Sequence, residues 1–180
     1  MPGGGMSGIT VAGDAFTAYQ ALQKNKEHSF IVFKIQDEKT IIVAEKGDKS
    51  LTWDDLISRL PADNGAYVVY DLSYKAKSGA ENTKPILITW APDAAPIKVK
   101  MMYSSSKDSL KKALGQGLGI EIQANDLSDL DLNEIRQRQE SRTIQIVNRF
   151  QVLFNNVPCN SKYLWTLVHC NSWNERILVI

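Results

Sequence analysis

The chain has 180 residues, 43% of them hydrophobic and 23% charged, a composition that suits one globular domain with a sizeable core and a little chain to spare. A formal net charge of +1 argues against a protein built to neutralise nucleic-acid phosphates, and no apolar run approaches the roughly 20 residues that cross a bilayer. Two cysteines, Cys159 and Cys170, are too few for a disulfide scaffold, and no basic stretch followed by an apolar core opens the chain, so a cytosolic protein is expected.

Met1-Pro2-Gly3-Gly4-Gly5 reads as a flexible leader. Residues 14–24 carry Phe16, Tyr19 and Leu22 at near-helical spacing, with Asp14 placed to help the helix start. Residues 29–35 and 40–46 are β-rich runs joined by Gln36-Asp37-Glu38-Lys39, which predicts a hairpin. Thr52 caps a helix reaching about Leu60, with Asp55 three residues on in a box-like arrangement and Pro61 after the stop. Residues 66–72 read as a buried strand, 74–84 as a polar loop and 85–90 as the next strand.

A Pro-bounded turn then leads into a long helix, with Pro96 suited to its first position. Ile97 and Met101 lie four apart, as do Leu110 and Leu114, while Lys100, Lys107 and Lys111 fall on another part of its surface. The hydroxyls of Ser104, Ser105 and Ser106 can bond back to the preceding turn, which predicts a bend there. Gly115-Gln116-Gly117-Leu118-Gly119 lacks the Lys-Ser/Thr of a phosphate loop and is expected to end the helix. Residues 120–124 give a short fifth strand and 129–138 a last amphipathic helix. Five strands interleaved with four helices predict an α+β domain, a mixed sheet covered on both faces.

Charge is unevenly spread: from Arg136 onward six basic residues face two acidic ones, so residues 1–135 are slightly acidic overall. The lysines of 98–112 therefore form a local basic patch, able to steer an acidic partner. His28, His169 and the separated cysteines offer no metal-ligand spacing, and no acid–base pair can be picked out. No metal, no cofactor and no enzymatic activity are expected.

The run from Trp90 to Leu114, W-A-P-D-x-A-P-I-K-x-K-M-x-Y-x-S-S-K-D-S-L-K-K-x-L, resembles the long actin-contacting helix of the ADF/cofilin family. Met6-Ser7-Gly8-Ile9-Thr10-Val11, Phe33-Lys34-Ile35, Tyr67-Val68-Val69-Tyr70-Asp71 and Glu121-Ile122-Gln123-Ala124 extend the resemblance over roughly residues 6–138. Asn64-Gly65-Ala66 departs from it, where many relatives have a cysteine and a basic residue. The resemblance implies the ADF-homology (gelsolin-like) fold, a five-stranded mixed sheet with helices on either side. It also implies a protein that binds monomeric and filamentous actin and promotes severing and depolymerisation. The alternative is a side-binding actin or phosphoinositide adaptor of the same fold that does not disassemble filaments.

Residue by residue, the resemblance assigns monomer and filament contacts to Ser7, Lys98, Lys100, Met101, Lys107, Asp108, Lys111 and Lys112, with Ser7 also the inhibitory phosphorylation site. It assigns filament-only contacts to Lys84, Arg136 and Arg138, with Asn82 standing where some relatives have a second basic residue. It further implies competition by phosphoinositide headgroups at the basic patch and a place on the cytoplasmic actin cytoskeleton. After Arg138 the family pattern stops: residues 139–180 are an added helix, an alternative C-terminus or a poorly ordered appendix.

Overall fold

A computed structural model of the chain describes residues 8–75 and 79–155. Ser7, the leader and the aromatic part of the tail lie outside the described residues. The chain divides into two compact units, Met1–Arg142 and Thr143–Ile180, and the sheet lies in the first.

Six strands form that sheet: β1 (Thr10–Val11), β2 (His28–Gln36), β3 (Thr40–Asp48), β4 (Ala66–Lys75), β5 (Glu81–Trp90) and β6 (Glu121–Ala124). Their order is β1-β3-β2-β4-β5-β6. The inner pairs are antiparallel, while β1 joins β3 and β6 joins β5 in parallel, so the sheet is mixed as the sequence predicts. The sixth strand is β1, whose two residues are too short a run to stand out by alternation.

Both faces of the sheet are covered, which explains why Phe30, Ile31, Val32 and Phe33 are buried in unbroken succession. Phe30 and Val32 pack on one side with Trp53, Leu56, Val68, Ile88, Leu130 and Ile135. Ile31 and Phe33 pack on the other with Tyr19, Leu22, Tyr67, Leu87, Tyr103, Leu110 and Leu114. The first side is roofed by α2 (Trp53–Ser58) and the start of α4 (Leu132–Asn155), the second by α1 (Asp14–Gln20) and α3 (Ile97–Leu114).

Local chemistry accounts for the boundaries. Thr52 and Asp55 form the expected capping box on α2. The hairpin at 36–39 turns through Asp37 and Glu38, which both take positive φ, 52° and 55°. α1 begins without a side-chain cap from Asp14, runs to Gln20 and widens into a π-turn over Ala21–Asn25. Its buried stripe is Ala15, Ala18, Tyr19 and Leu22; Phe16 is 46% exposed and lies outside it.

Two expectations are corrected. Within the expected loop, residues 74–75 and 81–84 are strand: β4 and β5 pair without interruption from Ala66↔Trp90 to Lys75↔Glu81. Exposed Ser73 and Lys75 alternate there with buried Leu72 and Tyr74, a half-buried pattern that polar composition disguises. The last helical region divides into a 3-10 turn, Leu127–Leu130, boxed by Asp126 and Asp129, and α4, which runs on to Asn155. Gln139 on α4 is buried, its Oε1 accepts the Ile120 N–H at 3.0 Å, and Arg142 donates to the Gly119 carbonyl.

Candidate functional site

The site is built on α3. Trp90 ends β5 with its indole N–H donating to the Pro61 carbonyl at 2.7 Å, and the Ala95 N–H closes the following turn onto Pro92 at 2.9 Å. Pro96 is the N-cap, one position earlier than expected, with an extended ψ of 144° that delivers Ile97 as the first helical residue. At the other end Gly115 takes φ +80°, and the chain leaves the helix there.

Tyr103, Ser106, Leu110 and Leu114 recur at helical spacing and are buried against the sheet. Tyr103 fixes the depth and register of the helix. Its hydroxyl oxygen accepts the Ile35 N–H at 3.0 Å, and its carbonyl accepts the Tyr67 hydroxyl. Ile35 lies beyond Phe33↔Tyr67, the last β2–β4 pair, so the phenol replaces a ladder partner. Gly65 makes room for it, since a Cβ there would stand 2.4 Å from the Tyr103 ring. Ser105 and Ser106 both donate to the Met102 carbonyl, at 3.1 and 2.7 Å, as their back-bonding chemistry predicts.

Directly opposite the buried stripe runs an exposed one: Ile97, Met101, Ser104, Ser105, Asp108 and Lys112. Ile97 and Met101 are 77% and 67% exposed, so their four-residue spacing marks an outward apolar pair and not the core stripe that the Leu110–Leu114 pair marks. The residues of the exposed stripe are flanked by lysines. Lys98 Nζ lies 2.6 Å from Glu38 in the β2–β3 turn, and Lys100 Nζ lies 2.9 Å from Asp93. Lys107 and Lys111 reach the same carboxylate, Glu121 at the start of β6, at 3.3 and 2.5 Å. That carboxyl is held below the usual carboxylate range, first by its hydrogen bond from Lys111 and then by Lys107.

The structure thus gathers Lys98, Lys100, Met101, Lys107, Asp108, Lys111 and Lys112 on one side of one helix. Lys84, Arg136 and Arg138 are placed elsewhere. Lys84 is on β5, where a side chain at Gly119 would meet its Cγ. Arg136 crosses from α4 to donate to the Ser73 carbonyl on β4 at 3.3 Å, and lines a cleft with Tyr74, Lys75, Glu81 and Glu140. Arg138 pairs with Glu134 one turn back, at 3.3 Å. Sequence reasoning did not single out Ile97 and Glu121, which the structure places beside the lysines of α3. Neither was legible locally: the four-residue spacing of Ile97 and Met101 does not say which way that pair faces, and nothing in the short run of β6 marks Glu121.

A hydrophobic and basic helix face of this kind has many possible partners, and the comparisons narrow them. A family profile described as cofilin/tropomyosin-type actin-binding protein matches residues 8–140. The chain belongs to the ADF/cofilin family. Cofilin from Yarrowia lipolytica is 39% identical over 133 residues, which covers 73% of this chain and 86% of that one. Actophorin from Acanthamoeba castellanii is 37% identical over 134 residues, covering 74% of this chain and 96% of that one. The crystal structure of Streptomyces griseoflavus cofilin superposes with a TM-score of 0.68 at 33% identity, covering 74% of this chain and 98% of that one. In this ADF/cofilin chain no group of His, Cys, Asp and Glu among the described residues could hold a metal ion, and no described helix is long and apolar enough to cross a membrane.

Proposed function

We propose that this protein binds monomeric and filamentous actin through α3, and filaments additionally through the region of Lys84, Arg136 and Arg138, and that it promotes severing and depolymerisation. The observation that carries this reading is the exposed Ile97–Met101 pair set between lysines on α3 of an ADF/cofilin chain. Apolar contact at the centre of a surface supplies affinity, and charges around it supply orientation and association rate.

Action on filaments follows from two surfaces. A protein that touches two neighbouring subunits at once stabilises whichever filament geometry fits both, and shifts the population of subunits toward it. Its contribution is binding energy, with no covalent chemistry, in keeping with a cytoplasmic cytoskeletal role. Phosphorylation of Ser7, a residue that the family resemblance assigns to the actin contacts, would add about −1.5 to −2 charges and oppose an acidic partner. Phosphoinositide headgroups would compete at the same lysines.

The test is filament pelleting together with direct observation of severing, for the wild type, Met101→Ala and Lys112→Glu. Lys112 is exposed and outside the ion pairs described above, so its reversal should change stability by no more than about 0.5 kcal/mol. Both variants should bind actin more weakly, Met101→Ala by about 1–2 kcal/mol. Pelleting without severing would favour the adaptor reading, and absence of wild-type binding would overturn actin as the partner.

A further inference from the structure

Lys107 and Lys111 stand one helical turn apart on the flank of α3 that faces β6, and Glu121 opens β6. The two carboxylate oxygens are divided between them, Oε1 to Lys111 at 2.5 Å and Oε2 to Lys107 at 3.3 Å. All three side chains are about one-third exposed, at 32%, 35% and 32% for Lys107, Lys111 and Glu121, so this clasp lies at the rim of the α3 surface and within reach of a docked partner. The helix does not need it to stay in place, because Tyr103, Leu110 and Leu114 already seat α3 on the sheet.

An incoming carboxylate therefore meets two ammonium groups whose charge is partly answered from within, by an acid on a different element. We propose that Glu121 is an internal competitor for the acidic partner of α3, a specificity-determining residue that occupies Lys107 and Lys111 in the free protein and lowers the affinity that these lysines would otherwise give. The proposal rests on the reading of α3 as the actin-binding surface. Removing the charge takes the trio from a net +1 to a net +2 and leaves every α3 residue unchanged. Attraction for an acidic surface then grows, and it grows most where salt does not screen it.

The experiment measures binding of monomeric actin to the full chain, wild type and Glu121→Gln, in low and physiological salt. The same pair is compared in a Lys107→Gln/Lys111→Gln background. Glu121→Gln should bind about three- to tenfold more tightly in low salt, with a steeper salt dependence, and the gain should vanish without the lysines. Glu121→Thr, uncharged and suited to an edge strand, should repeat the gain, and thermal melts identify any variant that fails to fold. Equal or weaker actin binding by both folded variants overturns the proposal. Polyglutamate serves as a second acidic probe. If the wild type does not bind actin while both variants gain affinity for polyglutamate through the two lysines, the actin reading fails and the role of Glu121 stands. If neither probe gains, Glu121 is no competitor.

Discussion

A methyl group at position 65 would meet the Tyr103 ring at 2.4 Å, and the ring cannot retreat without giving up the bond that its hydroxyl accepts from the Ile35 N–H. Gly65→Ala should therefore destabilise the fold by about 1–3 kcal/mol, the usual cost of overpacking, read by denaturant unfolding. Tyr103→Phe keeps the ring and leaves the Ile35 N–H without its phenolic acceptor, which should cost about 1–3 kcal/mol in the same measurement. At this scale the sequence is least legible. Asn64-Gly65-Ala66 reads as an ordinary departure from the family at a loop edge, yet its glycine is where α3 presses on the sheet. Only the crossing of two elements distant in the chain gives Gly65 that role.

At the scale of elements, spacing identified the helix but could not orient it. Ile97–Met101 and Leu110–Leu114 carry the same four-residue signal, and one pair is exposed while the other is buried. The difference lies in what covers the helix, and a local periodicity contains no such information. The capping box of α2 was legible because both partners lie within one turn. The link between α3 and β6 was not, and it predicts a response to acid. The Glu121 carboxyl titrates below its unfolded range of about 4.3, so its stabilising contribution is present above that value and is lost as pH falls through the depressed folded value. Thermal stability measured from neutral pH down to about pH 3 should fall less steeply for Glu121→Gln than for the wild type.

For the whole molecule, the alternating strands and helices sufficed for a two-faced α+β layer structure, while the lengths of β4 and β5 and the presence of β1 depended on pairing. The buried tyrosines give the folded domain an alkaline limit. Tyr19 is pushed up to about 12 by burial and then by Asp71, and Tyr67 and Tyr103 are also raised, by burial first. These phenols stay neutral in the fold but ionise near pH 10 when unfolded, so their contribution is intact below about pH 10 and is lost as pH rises beyond it. Melting temperature should drop above about pH 10, and less steeply in Tyr19→Phe. The order β1-β3-β2-β4-β5-β6 has a further effect at high concentration. Both margins of the sheet are closed by short parallel strands, of two and four residues, and the stretch of β3 that β1 leaves open carries Glu45, Lys46 and Asp48 beside a shifted register. Such margins give a neighbouring copy no flat ladder to extend. Molecules crowded together should therefore stay separate from one another, and sedimentation of the free protein should show no growth by strand addition as concentration rises.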